Sequence, residues 1–253
     1  MEILELAGIT TTFVIVVFEK TVGELVDENY IYARALHFLG IDFLNCSNVK
    51  LRDLCLSMGI DRKLLIKSFY SFDSTDRLSF KELEKYPIPL LLEYLRYSHH
   101  QFIKEKLPYI VEIANKTNEQ QVLQVMLPEF VEDFIKHIYE EEDHTFRYIQ
   151  LLTDINAGKI AAPFSKLSSF GVSFSLQKEV AEHGEEDELA AIRELILSIE
   201  PNSLEERVIV AEMKAFDREM FYHASIENDL LFPKALQLES EVKKQINRLA
   251  AQN

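Results

Sequence analysis

Apolar residues recur three and four positions apart over most of the chain, which is the period of a helix that buries one face. From residue 89 onward this pattern predicts four long helices, over 89–116, 119–153, 176–198 and 204–238. A break at 201–203, with Ser203 as N-cap, separates the last two, and 157–175 is a longer connection containing Gly, Ser and Pro. Four amphipathic helices joined in this way predict an antiparallel four-helix bundle at 86–237.

The N-terminal part of the chain predicts a smaller helical domain at 21–78. Its helices are expected over 22–39, 49–58 and 61–72. Gly40 and Gly59 follow the first two helices as natural C-caps, and Asp61 is the predicted N-cap of the third. Residues 71–79 are polar and rich in turn formers, so we interpret them as the linker to the bundle.

Residues 1–20 and 238–253 lie outside both domains, as an apolar N-terminal extension and a C-terminal tail. The uncharged stretch 6–18 is shorter than the roughly 20 residues of a transmembrane helix, and Glu2 and Glu5 stand where a signal peptide has basic residues. We therefore expect a cytoplasmic protein without a membrane span. The stretch 6–18 is rich in β-branched residues, which is typical of a strand or a docked tail. We expect it to be either a homodimer contact or an extension without a fixed partner.

Composition agrees with a helical globular protein. Apolar residues make up 47% of the chain and charged residues 27%, and only seven Gly and seven Pro are present, which leaves little room for the turns of an all-β fold. The net charge of −15 repels phosphate backbones, so no nucleic-acid partner is expected. The two cysteines, Cys46 and Cys55, are too few for a disulfide scaffold and indicate a reducing compartment.

Two of the seven histidines are followed four residues later by Glu. These pairs are His137 with Glu141 and His223 with Glu227, and on a helix each pair projects from one face. About one such pair is expected by chance, so the spacing alone is equally typical of solvated surface contacts. Both pairs, however, lie on the apolar stripe of their helix, where a carboxylate needs a partner or a metal ion. The pattern therefore favours a metal site.

Single histidines on the first and third predicted helices complete an internal two-fold repeat. His100 lies on a line with Ile103 and Leu107, and His183 lies on the third helix. The resulting ligand set is His100, His137, Glu141, His183, His223 and Glu227. It can hold two metal ions, each with two histidines and with both carboxylates bridging. A ferritin-like di-iron site is the weaker alternative, because it needs two Glu-x-x-His motifs and the chain has one, Glu141-x-x-His144.

Several local motifs match one known family. His223-Ala-Ser-Ile-Glu227-Asn-Asp-Leu-Leu-Phe-Pro233 is similar to an H-x-x-x-E-N-x-x-L-F-P signature. His99-His100-Gln-Phe-Ile-Lys-Glu-Lys-Leu107-Pro108 is similar to a first-helix motif in which counting back from Leu-Pro selects His100 rather than His99 as the ligand. The stretches 137–142 and 182–183 match the second and third helices. By these motifs the chain resembles the hemerythrin-like domain of the iron–sulfur cluster repair di-iron proteins, the repair-of-iron-centres family.

The small domain resembles the same family. Residues 21–26 and 35–43 look like the start of its ScdA-type domain, so the resemblance covers about 21–237. The Cys-Cys-Gly motif that normally follows is missing, since Leu44 and Asn45 take its place and Cys46 comes one position late. The role of that cysteine pair is therefore left open for this chain.

The resemblance implies a cytoplasmic stress-response protein that repairs iron–sulfur clusters damaged by nitric oxide or oxidants. Its cofactor would be two non-haem iron ions in an oxo- and carboxylate-bridged di-iron centre. Its partners would be damaged iron–sulfur proteins as clients and the small ligands NO or O₂. Whether the chain is an enzyme that reduces NO to N₂O or a donor of iron is left open. Asp133 and Glu182 are candidates to shuttle protons or to orient a ligand.

Two other functions remain open from the sequence. One is a hemerythrin-like protein that binds or senses O₂ or NO without turnover. The other is a helical interaction module that has lost its metal. A serine or cysteine nucleophile with a partner histidine leaves no recognisable signature in the chain.

Overall fold

The computed structural model describes residues 16–73, 79–117, 121–171, 174–185 and 189–251. Over these residues the protein is all-α without any strand, and its extended pairing is a single bridge between Thr21 and Lys50. The predicted all-α class is therefore confirmed, in agreement with the scarcity of Gly and Pro. The antiparallel four-helix topology stays a prediction.

The first of two compact units takes the described residues of Met1–Arg77, Ile113–Glu119 and Leu197–Met213. Its helices are α1 (Val22–Glu28), α2 (Ile31–Phe38), α3 (Leu51–Met58) and α4 (Arg62–Asp73). The single helix predicted over 22–39 is thus two helices. The chain breaks because Asn29 is extended, with φ −152°, and its side chain accepts a hydrogen bond from the Ile31 N–H at 3.1 Å.

The predicted ends of these helices are confirmed by their caps. Gly40 and Gly59 have φ of 74° and 66°, a left-handed conformation that favours glycine after a helix. Asp61 Oδ1 accepts hydrogen bonds from the backbone N–H groups of Lys63 and Leu64, at 2.8 and 2.9 Å, and so caps α4.

Two features of the sequence fall largely outside the described residues. Of the apolar stretch 6–18, only 16–18 is described. It lies in a helical turn with Val17 and Phe18 buried, not in a strand. Most of the predicted linker, 74–78, is also outside the described residues. No helix in the described part of the chain has the length and apolar character needed to cross a membrane.

The second compact unit takes the described residues of Leu78–Glu112, Gln120–Ile196 and Lys214–Asn253. The remaining α-helices, in chain order, are α5 (Phe80–Leu83), α6 (Ile88–Gln101), α7 (Leu107–Lys116), α8 (Gln121–Glu141), α9 (Arg147–Asn156), α10 (Pro163–Ser168), α11 (Leu176–Glu185), α12 (Ala190–Ser198), α13 (Leu204–Ile226) and α14 (Phe232–Ala251). Three π-helical turns are inserted between consecutive helices. They are π1 (Phe102–Lys106, between α6 and α7), π2 (Glu142–Phe146, between α8 and α9) and π3 (Glu227–Leu231, between α13 and α14).

The last predicted elements differ from the observed ones. The helix predicted over 176–198 is described as α11 and α12, with 186–188 outside the described residues. Helical turns continue to Ala251, through most of the residues predicted as a C-terminal tail over 238–253. Leu238 and Val242 are buried there, so the apolar period continues past the predicted end.

Helices of the second unit share one hydrophobic core. Helix α9 contacts α6 and α14, and α11 also contacts α14. Central members of this core are Leu92, Leu95, Ile149, Leu152, Phe232 and Ala235. Burial of a large aliphatic or aromatic side chain contributes about 1.5–3 kcal/mol, so this core stabilises the packing of α6, α9 and α14 against one another.

Candidate metal centre

Four buried ligand side chains converge inside the second unit. They are His99 in α6, Glu141 at the end of α8, His223 in α13 and Glu227 at the start of π3. The exposed fractions of these residues lie between 1% and 7%. One nitrogen or oxygen atom from each lies within 4.8 Å of the others, so this group can hold a metal ion.

The distances within this group fit ligands of a common ion. The Nε2 atoms of His99 and His223 are 2.9 Å apart, and His223 Nε2 is 2.8 Å from Glu227 Oε1. His99 Nε2 is 3.5 Å from Glu141 Oε2. Two nitrogen ligands that each lie about 2.1 Å from one ion, at right angles, are about 3.0 Å apart. The observed separation of the two imidazole nitrogens is close to that value.

A second group, formed by His137, Glu141 and His183, adjoins the first. His183 Nε2 lies 3.8 Å from Glu141 Oε1 and 3.3 Å from Glu227 Oε2. The rings of His137 and His183 have their centroids 5.9 Å apart. This group is less enclosed than the first, because 17% of the His183 side chain is exposed and His137 is half-buried.

Glu141 and Glu227 each face both groups. Oε2 of Glu141 and Oε1 of Glu227 point toward the pair of His99 and His223. The opposite oxygen of each carboxylate, Oε1 of Glu141 and Oε2 of Glu227, is the one nearest His183. Carboxylates placed in this way can bridge two neighbouring cations, and a cation would offset the cost of burying them.

The electrostatics favour the protonation states that metal ligands need. Burial lowers the pKa of His99, although its hydrogen bond to Glu142 opposes the shift, so the imidazole is neutral near pH 7. Burial would raise the pKa of Glu227, but the charges and hydrogen bonds of His223 and His183 outweigh it and hold that pKa below its usual range. Neutral His99 and ionised Glu227 are the forms in which these side chains bind a metal ion.

Aromatic rings enclose the buried end of the site. His99 stacks on Phe146, with ring centroids 5.5 Å apart and planes 10° apart. Phe102 meets the His223 ring edge-on at 5.6 Å, and Phe216 packs edge-on against Phe102 at 5.5 Å. This apolar wall limits water around the two imidazoles and strengthens the electrostatic interactions between the ligands.

Of the six predicted ligands, five lie in these two groups: His137, Glu141, His183, His223 and Glu227. The sixth, His100, is exposed and lies outside both groups, and its neighbour His99 lies in the first group instead. The reason is the extra residue in the π1 turn. The buried positions run through His99 and Phe102 and resume five residues later at Leu107, whereas a regular α-helix would align His100 with Leu107.

The other candidates from the sequence lie outside the cluster. Asp133 is exposed, and Glu182 is exposed and pairs with Lys178 at 3.1 Å. His144 is exposed, and its Nδ1 lies 2.9 Å from the Glu140 carbonyl oxygen. Sequence reasoning also missed Glu142, whose Oε1 lies 2.8 Å from His99 Nδ1. Glu142 sits in an acidic run that is typical of a solvated face, so no spacing in the sequence indicates its contact with His99.

A cavity of about 300 Å³ opens onto the cluster. Beside the His and Glu ligands, its walls include the apolar side chains of Phe134, Ile138, Leu189 and Met220. Arg193 and Asn228 also line it, and a cavity of this size accommodates a small molecule next to the ligand atoms.

The cysteines lie in the first unit and remain thiols. Burial, together with the charge of Asp42, raises the pKa of Cys46, and its Sγ donates to the Asp42 carbonyl oxygen at 3.2 Å. Burial also raises the pKa of Cys55. Because the thiolate is the form that binds metals and attacks electrophiles, neither cysteine is activated near pH 7.

Comparison with protein-family models found no family that matches the chain, and comparison with the curated proteins found no match either. The geometry therefore defines the class, an all-α protein with a buried His and Glu cluster that can hold a metal ion.

Proposed function

We propose that this chain is a non-haem di-iron protein that repairs iron–sulfur clusters damaged by nitric oxide or oxidants. The observation that carries the proposal is the pair of buried carboxylates, Glu141 and Glu227, each with one oxygen toward His99 and His223 and the other toward His183. Two cations bridged by these carboxylates would satisfy both groups at once.

The donor set is compatible with iron as the metal. Four imidazoles and two carboxylates, without a thiolate, are ligands for iron, manganese or zinc. The choice of iron among these, and the role in cluster repair with damaged iron–sulfur proteins as clients, rest on the resemblance to the repair-of-iron-centres family.

The cavity beside the cluster supports a small gaseous ligand. Its apolar wall suits NO or O₂, which are small and uncharged, and it opens directly onto the ligand atoms. Reduction of two NO molecules to N₂O and water consumes two electrons and two protons, and a pair of ferrous ions would supply those electrons when bound. The residues of the chain would hold the ions, admit the ligand and exclude bulk water.

A hemerythrin-like protein that binds O₂ or NO without turnover is the second candidate. The cavity beside the cluster is the observation behind this candidate, because a small molecule can reach the ligand atoms there without any chemical step. The two candidates share the metal centre and differ in what happens to the bound ligand.

The test is the metal content and visible spectrum of the protein, purified without chelator and again after anaerobic reconstitution with Fe²⁺. About two irons per chain, with the near-ultraviolet absorption of an oxo bridge after exposure to air, is the expected result. One zinc, or no metal after reconstitution, would reject the di-iron proposal. Sustained NO consumption with an electron donor would then support the repair protein, whereas reversible binding would support the carrier or sensor.

A further inference from the structure

One nitrogen of His99 faces the cluster and the other faces a carboxylate. His99 Nδ1 lies 2.8 Å from Glu142 Oε1, while its Nε2 points to His223 and Glu141. The His99 ring is almost fully buried, and 30% of the Glu142 side chain is exposed. The carboxylate is therefore positioned to accept the Nδ1–H from the rim of the site.

This contact sets the tautomer of His99. A carboxylate accepts hydrogen bonds and does not donate them when ionised, so the proton of the neutral imidazole is on Nδ1. The lone pair is then on Nε2, which is the atom 2.9 Å from His223 Nε2. Stacking on Phe146 holds the ring plane in the same orientation.

His223 lacks such support among the described residues. Its buried Nδ1 has no hydrogen-bond partner there. The two imidazoles that face each other thus differ, since His99 is held and polarised by a carboxylate and His223 is not. A carboxylate on the far nitrogen orients a ligand imidazole and makes its other nitrogen a stronger donor.

This arrangement involves two adjacent acids at the junction of α8 and π2. Glu141 ends α8 and Glu142 begins π2, so two adjacent acids serve the same site in different ways. Glu141 directs its oxygens toward the histidine Nε2 atoms, and Glu142 reaches the outer nitrogen of His99.

We infer that Glu142 is a positioning residue for His99, which fixes the proton on Nδ1 and strengthens Nε2 as a metal ligand. The inference rests on the proposed metal centre and adds to it a residue that neither the motifs nor the spacing identifies. Its consequence is that removal of Glu142 weakens metal binding although all the ligands remain.

The experiment measures Co²⁺ affinity by competition with a chelator, together with the visible Co²⁺ spectrum, for the full chain and three variants. Glu142→Ala removes the acceptor and is expected to weaken binding about 10- to 100-fold and to shift the spectrum. Glu142→Gln keeps an oxygen acceptor without the charge and is expected to recover part of the affinity. Asp143→Asn removes the same charge from the next, exposed residue and is expected to match the wild type.

The outcomes distinguish failure of the proposed metal centre from failure of the role given to Glu142. Wild-type protein that binds no Co²⁺ would reject the metal centre itself. Wild-type protein that binds Co²⁺, with Glu142→Ala equal to it in affinity and spectrum, would overturn the role of Glu142 alone. Should Glu142→Ala fail to fold, Glu142→Gln decides, because wild-type affinity and spectrum in that variant would also overturn the inference.

Discussion

At the scale of single residues, adjacent side chains of the same type have opposite environments. His99 is buried against His223, and His100, one position later, is exposed. Glu141 lies inside the cluster, whereas Glu140 on its other side is at the surface. Which residues belong to the site therefore depends on the direction in which each side chain points from its helix, more than on the local composition of the sequence.

The two histidines provide a matched pair of variants. His99→Ala removes a buried ligand and is expected to weaken metal binding by at least about tenfold, since loss of an outer partner alone costs 10- to 100-fold. His100→Ala removes an exposed ring and is expected to leave affinity unchanged. Chelator competition on both variants measures this, and the reverse order of effects would restore the assignment made from the Leu107-Pro108 motif.

At the scale of elements, each π turn lies next to a member of the cluster. His99 lies three residues before π1, Glu141 directly precedes π2, and Glu227 is the first residue of π3. A π turn holds one more residue than an α turn, so it changes which side chains face the core on either side of it. Such turns are frequent at functional sites, in agreement with their position here.

Deletions of single residues test whether π1 changes which side chains face the core. Deletion of the exposed Lys104 within π1 should convert the turn to α-helix while His99 and Leu107 keep facing the core, so the protein is expected to fold and bind metal. Deletion of the exposed Tyr97 in α6 instead rotates Leu91 and Leu92 by about 100° and is expected to cost roughly 4 kcal/mol or more. Thermal unfolding of both variants compares them, and equal destabilisation would contradict the role given to π1.

At the scale of the whole molecule, metal binding should be linked to folding. The ligands come from α6, α8, α11, α13 and π3, which are separated along the chain, so an ion bound by them favours the folded state over the unfolded chain. An ion at 100 times its dissociation constant stabilises by about 2.7 kcal/mol.

This linkage separates a metal protein from a metal-free interaction module. Wild-type protein loaded with Fe²⁺ is expected to lose thermal stability when a chelator is added. His223→Ala should start less stable and respond weakly to the chelator, because a central ligand is missing. If His223→Ala and the wild type melt alike, with and without chelator, the chain is better described as a helical module without metal.

The sequence by itself determined the helical class and most of the candidate ligands. Helical period and the i, i+4 spacing of His137 with Glu141 and of His223 with Glu227 are local properties, so they are readable before the chain folds. The break at Asn29 and the helix beyond Leu238 were missed, because short-range capping and continued burial each changed where a helix ends.

Only the tertiary structure decided which side chains meet. His99 and His223 are 124 positions apart, and the hydrogen bond from His99 to Glu142 spans 43. His99 rather than His100 faces the cluster because π1 contains one extra residue. Counting 3.6 residues per turn along the sequence does not include that residue. Contacts of this kind arise from packing between helices, and the core of the second unit therefore sets the geometry of the site.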